Sequence, residues 1–183
     1  IENLSNSQDT QLLQKALNED SETVDIHHAG TAMRFLTSFY AIQEGRKTIL
    51  TGSERMKQRP IKPLVDALRE LGAEINYLEN EGFPPLEIQG RKIEKNFVKI
   101  PANISSQFIT SLILIGAILE NGLEIDLKGE ITSRSYIKMT LKILKDIGIE
   151  TRFEGNSIKI LSAASSLSNQ KLDRHYHSSK IKH

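Results

Sequence analysis

Cationic and hydroxyl side chains gather in this chain where it must turn into helices. His28-Ala29-Gly30-Thr31-Ala32-Met33-Arg34 sets a glycine at a predicted helix mouth and follows it, one turn later, with an arginine. Arg55-Met56-Lys57-Gln58-Arg59-Pro60 adds three more cations downstream. The first turn of a helix exposes unpaired backbone N–H groups and a partial positive charge, and together these hold anions. An arginine fork grips a carboxylate or phosphate through two parallel hydrogen bonds. The residue types therefore suit a small, multiply anionic ligand.

Two further segments put short polar side chains at a predicted helix start. They are Ser105-Ser106-Gln107 before the apolar stretch at Phe108, and Thr132-Ser133 with Tyr136 before Ile137. A hydroxyl in such a place is ordinarily an N-cap, worth about 1 kcal/mol. One serine suffices for that purpose, so two hydroxyls and an amide leave groups free for phosphate oxygens or sugar-like hydroxyls. Ser133 and Tyr136, three apart, share one side of a helix. Arg55, Lys57 and Arg59 fall on an expected loop between a strand and a helix, where a solvated charge run and an anion site are both open readings. His27-His28 reads as local packing, and His175-Tyr176-His177 sits in a polar tail; no metal is expected. No HExxH, Walker A or dinucleotide glycine pattern occurs. No carboxylate joins these segments as an acid–base pair, so an enzyme would draw its proton-transfer groups from elsewhere.

The elements that must position these residues repeat. Phe35-Leu36-Thr37-Ser38 recurs as Phe108-Ile109-Thr110-Ser111 at an offset of 73, Leu71-Gly72 recurs as Ile147-Gly148 at 76, and Thr51-Gly52 matches Lys128-Gly129 at 77. Several landmarks in register point to a duplication. Ile61, Leu64, Val65 and Leu68 form a helical stripe, with Pro60 expected in the first turn and Gly72 as the stop. Ile137, Leu141 and Leu144 form its later copy, and Asp9 to Leu17 looks like an earlier, truncated one. Strands are expected at Glu74 to Leu78, Pro85 to Ile88, Phe97 to Ile100, Leu123 to Leu127 and Ile149 to Phe153. The order reads as α/β, in repeated β-α-β-α-β-β units, one partial and two nearly complete.

The totals narrow the function. With 183 residues, one domain is expected, and with aromatics at 5% its core must be aliphatic. A net charge of +1 argues against nucleic-acid binding through bulk positive charge. The absence of cysteine excludes disulfides, thiolate metal sites and cysteine nucleophiles, and fits a cytoplasmic location. The longest uncharged apolar run, Phe108 to Leu119, spans 12 residues, against the roughly 20 that a membrane helix needs. It is expected in the core. Ile1-Glu2-Asn3-Leu4 resembles neither a signal peptide nor a native start, so a chain beginning inside a longer protein is expected. The Ser-, Lys- and His-rich stretch from Ser162 to His183 is expected to be a linker or disordered tail.

The sequence resembles the 5-enolpyruvylshikimate-3-phosphate synthase family, the 3-phosphoshikimate 1-carboxyvinyltransferases. The likeness runs in order from about Ser7 to Ile160. It is carried by Ala29 to Arg34, Leu50-Thr51-Gly52, Arg55 to Ile61, Leu64 to Leu68, Gly82-Phe83-Pro84-Pro85-Leu86, Ser105-Ser106-Gln107-Phe108 and Ser133-Arg134-Ser135-Tyr136-Ile137. It implies two lobes, each of three β-α-β-α-β-β units with helices inside and sheets outside, an inside-out α/β barrel. Residues 1–161 would be most of the shikimate-3-phosphate-binding lobe. The implied reaction moves the enolpyruvyl group of phosphoenolpyruvate to the 5-hydroxyl of shikimate 3-phosphate, through a tetrahedral adduct, with release of phosphate and without metal or organic cofactor.

Carried over by position, Ser105, Ser106, Gln107, Ser133 and Tyr136 would bind shikimate 3-phosphate. Gly30, Arg55 and Gln107 would contact phosphoenolpyruvate, and His28, Thr31 and Arg34 would shape that pocket. Retention of Gly30 implies sensitivity to glyphosate. The chain departs from the family pattern at His28, where asparagine is common, and at Phe35, where proline is frequent. The family's catalytic Lys, Asp and Glu have no counterpart here, so the chain alone is expected to bind without catalysing. Its implied partner is the remaining domain of the same protein, monomeric at full length, with no nucleic acid or membrane. Two rival readings are UDP-N-acetylglucosamine enolpyruvyltransferase and a non-catalytic anion-binding module.

Overall fold

A computed structural model describes residues 4–166. Helix α1 (Gln8–Asn18) comes first, capped by Ser7, whose side chain accepts a hydrogen bond from the Thr10 N–H. Then follow β1 (Thr23–Asp25), α2 (Gly30–Ala41), β2 (Lys47–Thr51), the short α3 (Glu54–Lys57), α4 (Lys62–Leu71), β3 (Glu74–Tyr77) and β4 (Leu86–Gln89). The second half runs β5 (Phe97–Pro101), α5 (Ser106–Gly116), β6 (Leu123–Lys128), α6 (Arg134–Asp146), β7 (Thr151–Glu154) and β8 (Ser157–Ile160).

The strands form two four-stranded sheets in the orders β1-β2-β4-β3 and β5-β6-β8-β7. Adding four to each strand number of the first order produces the second. The orientations match as well: the first pair is parallel and the other two are antiparallel in both sheets. The duplication read from the sequence is thus a duplication of topology. Each unit is β-α-β-α-β-β, α3 being a single extra turn in the first.

Alternation decides which layer lies outside. β5 reads exposed-buried-exposed-buried-exposed, and β6 buries Leu123, Ile125 and Leu127. One face of each sheet therefore packs on helices and the other meets water. α2 and α5 are the helices between. Both are apolar nearly all round, and they pack side by side. Where they touch, Ser38 Oγ lies 2.5 Å from Ser111 Oγ, and the Ser111 hydroxyl donates to the Arg34 carbonyl at 2.7 Å. Ser38 must then be the donor to Ser111, because each hydroxyl has one hydrogen.

The outer helices end as expected. Gly72 and Gly148 follow α4 and α6 with φ of 112° and 91°, the left-handed conformation glycine adopts freely. α4 buries Leu64, Val65, Leu68 and Leu71, and packs on β5 of the next unit. α6 buries Ile137, Leu141 and Leu144 but leaves Tyr136, Met139, Ile143 and Ile147 exposed along a second stripe.

Some expectations need correction. α4 starts at Lys62, so the proline in its first turn is Pro63 and Pro60 lies outside the helix. Residues 54–57 are helical rather than loop, because Ser53 caps them through the Met56 N–H. β7 begins at Thr151, two residues late, since the Ile149 N–H turns back to the Leu144 carbonyl. Strand β1 is too short, at three residues, to show a period. Within the expected tail, 163–166 form a helical turn, and Ser166 is buried and accepts from the Glu150 N–H. Residues 167–183, including His175 and His177, lie outside the described residues.

Candidate ligand-binding site at the helix mouths

Two cavities open beside the first turns of α2 and α5. The smaller, about 460 Å³, is lined by His28, Arg55, Met56 and Arg59. Its walls are the loop after β1 and the segment after β2, pressed together. Asp25 Oδ1 accepts from the His27 N–H, and the Ser53 N–H bonds to the His27 carbonyl. His27 itself takes a left-handed φ of 49°. A Cβ on Gly52 would stand 2.7 Å from the His27 carbonyl oxygen, so only glycine permits this approach. Ser53 Oγ and His28 Nδ1 then meet at 2.7 Å.

Of the three cations in the Arg55–Arg59 segment, two face the cavity. Lys57 turns away and pairs with Glu79 at 2.8 Å. Arg59 reaches furthest in: a Cβ built on Gly30 would fall 2.2 Å from its Nη1. Its guanidinium therefore lies against the mouth of α2. That mouth is preceded by Ala29, which offers no side-chain cap, so the first-turn N–H groups stay available.

Beneath this surface sits Arg34, 4% exposed. Its Nη1 donates to the Gly30 carbonyl at 2.9 Å and its Nη2 to the Pro60 carbonyl at 3.3 Å. The Phe108 ring of α5 lies 5.7 Å from the guanidinium carbon. Burial, followed by the charge of nearby Arg59, lowers its pKa to about 10, so it is a cation at neutral pH.

The larger cavity, about 660 Å³, has polar lining from Thr31, Ser105, Ser106, Gln107, Thr110, Tyr136 and Thr140. Phe35, Leu114, Met139 and Ile143 supply its apolar lining. Gln107 Nε2 donates to Thr31 Oγ1 at 3.0 Å, which joins the mouth of α5 to that of α2. Ser105 does cap α5, accepting from the Gln107 N–H at 3.4 Å, and leaves the Ser106 hydroxyl free of that duty. Ser133 stands at the cap position of α6 without a side-chain cap bond. It does not line this cavity, although Tyr136 one turn on does.

The residues singled out from sequence thus fall into two adjoining groups. His28 and Arg55 line the small cavity, while Thr31, Ser105, Ser106, Gln107 and Tyr136 line the large one. Gly30 and Thr31, consecutive in the chain, stand at the junction. Arg59 and Phe35 are additions. Sequence alone could not rank Arg55, Lys57 and Arg59, because the ranking depends on the extra turn α3 and on Glu79 removing Lys57. Among the described residues no three His, Asp or Glu side chains group as a metal site, and neither cavity has a carboxylate in its lining.

The fold is an α/β lobe of duplicated units with arginines at one helix mouth, and comparison narrows its class. Residues 2–172 match the family described as EPSP synthase (3-phosphoshikimate 1-carboxyvinyltransferase), and the chain belongs to that family. The 3-phosphoshikimate 1-carboxyvinyltransferase of Bacteroides fragilis strain YCH46 is 54% identical over 148 residues, covering 81% of this chain and 36% of the relative. The protein of that name from Haemophilus influenzae strain KW20 is 46% identical over 134 residues, covering 72% of this chain and 31% of the relative. This chain therefore spans about a third of the length of these curated relatives. Two structures of EPSP synthase from Acinetobacter baumannii share the fold, with TM-scores of 0.64 and 0.66 at 22% and 23% identity. Each alignment covers 78% of this chain and 31% of the solved one.

Proposed function

We propose that this chain is the shikimate-3-phosphate-binding part of an enzyme that transfers the enolpyruvyl group of phosphoenolpyruvate to the 5-hydroxyl of shikimate 3-phosphate, releasing phosphate. The observation that carries the reading is the Arg59 guanidinium laid on Gly30, one residue from the cavity that holds Ser105, Ser106 and Gln107. Such a pair of cavities suits two anionic substrates held side by side.

In this reading the larger cavity takes shikimate 3-phosphate. Ser105, Ser106 and Gln107 meet its phosphate and hydroxyls, with Tyr136 and Ser133 beside them. The smaller takes phosphoenolpyruvate against the Gly30 N–H, with Arg55, Arg59 and Gln107 as donors. His28, Thr31 and Arg34 shape the wall between. Bringing the 5-hydroxyl and the enol carbon into contact is itself catalytic, since oriented reactants need no encounter. The 5-hydroxyl adds to C2 of phosphoenolpyruvate as C3 takes up a proton. Loss of phosphate, with a proton leaving C3, then restores the double bond. Fixed cationic donors hold the anions through both steps. The groups that move these protons belong to the remainder of the protein, in line with the absence of carboxylates from the two cavities. We place the enzyme in the cytoplasm, as a monomer in which the remaining domain is this chain's partner and no cofactor takes part; no helix among the described residues is long and apolar enough to cross a membrane.

The test is phosphate release by the full-length protein given both substrates. Turnover is expected, together with a rise of about tenfold or more in the phosphoenolpyruvate KM on Arg59→Ala, the loss of a charge-assisted contact. Turnover with UDP-N-acetylglucosamine in place of shikimate 3-phosphate would move the protein to the related enzyme. Binding of both substrates without turnover would make it a ligand-binding module.

A further inference from the structure

Among the described residues, one buried cation has no counter-ion. Arg34 is 4% exposed, yet among the described residues its hydrogen bonds run to two backbone carbonyls and a thioether, never to a carboxylate. Its Nε is buried with no partner at all. The charge that perturbs it most is another cation, Arg59. Burying an unpaired charge works against folding, so a chain that only needed to fill this space would do better with an apolar side chain of similar volume.

What Arg34 touches says what it is for. Gly30 O belongs to the mouth of α2, and Pro60 O to the residue directly after Arg59. One planar fork therefore spans the two segments that form the small cavity, near the level where Arg59 lies on Gly30. From behind, the second unit fixes the fork. The Phe108 ring lies 5.7 Å from its guanidinium carbon, and the Ser111 hydroxyl holds the Arg34 carbonyl at 2.7 Å. Lysine could not reproduce this, because a single ammonium cannot reach two carbonyls in a fixed planar geometry.

We propose that Arg34 is a positioning residue for the phosphate group of the enolpyruvyl donor: it pins the Arg59 segment to the mouth of α2 and leaves its own charge unneutralised beneath the bound anion. It does not touch the ligand. It sets the distance between Arg59 and the Gly30 N–H, and its charge adds to the attraction that the anion feels. An incoming phosphate supplies the counter-ion that the fold withholds. The assignment rests on the reading of the small cavity as the phosphoenolpyruvate site, but its core, phosphate held at Gly30, can be tested apart from any turnover.

The experiment uses the full-length protein, with inorganic phosphate as the probe and the Gly30 amide NMR signal as the reporter. Arg34→Met should raise the phosphate concentration needed to move that signal by about tenfold or more, and Arg34→Lys by about threefold or more, the charge being kept and the fork lost. The melting temperature of Arg34→Met should stay within about 5 °C of the parent's or rise, since the removed charge was unpaired. In turnover, the phosphoenolpyruvate KM should increase in both variants while that of shikimate 3-phosphate stays within about twofold. A Gly30 titration unchanged in Arg34→Lys and Arg34→Met overturns the proposal. So does a large drop in melting temperature with both KM values raised alike, the mark of a merely structural arginine. If Arg34→Met does not fold, the Arg34→Lys titration decides alone. Absence of turnover in the parent protein, with the Gly30 titration behaving as stated, removes the enzymatic reading and leaves the pinning role standing.

Discussion

The two units share a topology and differ most where their inner helices begin. Counting by the offset of 73, Gly30 corresponds to Asn103 and Arg34 to Gln107. In the first unit that arginine is buried under the helix mouth and holds backbone on either side of it. In the second, the glutamine reaches across to Thr31 and caps nothing. α2 begins without a side-chain cap and is met by a guanidinium, whereas α5 begins one turn later in register and is capped by Ser105. In the function proposed above, one mouth suits a bare anion and the other a ligand with hydroxyls. The two units thus hold equivalent helix starts that differ at these few positions.

The outer helices show a second contrast. Leu71 ends α4 at 1% exposure, and its counterpart Ile147, at the offset of 76, is 70% exposed. α4 has the sheet of the next unit to cover it, while the corresponding face of α6 has no described element over it.

These contrasts can be broken by paired substitutions. The largest effect is expected from Leu71→Ala, a loss of about 2–4 kcal/mol of folding stability in urea, whereas Ile147→Ala in this chain should fall within about 0.5 kcal/mol of the parent. Equal losses would mean that the two outer faces are equivalent after all. Next comes Gly30→Ala, whose new Cβ would stand 2.2 Å from Arg59 Nη1 and push the guanidinium off the mouth. The phosphoenolpyruvate KM of the full-length protein should rise about tenfold or more, and Asn103→Ala, at the same place in the second unit, should leave it unchanged. An effect from both would erase the specialisation of the first mouth. The smallest is Ser105→Ala, expected to cost about 1 kcal/mol as a lost cap. Ser133→Ala should cost nothing measurable in stability, because Ser133 makes no side-chain cap bond. Thermal denaturation of the two variants separates these outcomes.

Much of the fold was legible because it is written twice. The stripe Ile61, Leu64, Val65 and Leu68, ended by Gly72, recurs around Ile137 and Gly148, and each copy corroborates the other. The serine-rich mouth of α5 stood out because hydroxyls exceeded what capping needs. Other features could not be read. The role of Arg59 depends on a three-dimensional approach to Gly30, and nothing in its local sequence separates it from Lys57, which Glu79 holds elsewhere. Arg34 looked like a pocket residue, yet a sequence does not reveal that its fork is buried and lacks a carboxylate. α3 escaped notice because four residues are too few to show a helical period.

Ser38 and Ser111, the same residue in successive units, are not equal in what they depend on. Proton direction runs from Ser38 to Ser111 and on to the backbone of Arg34. Deleting the first hydroxyl leaves the second still satisfied, whereas deleting the second takes from the first its acceptor and leaves it to bond back to the Arg34 carbonyl of its own helix. A contact that looks like a mirror in the amino-acid string is therefore directional, and its downstream end is the arginine beneath the smaller cavity.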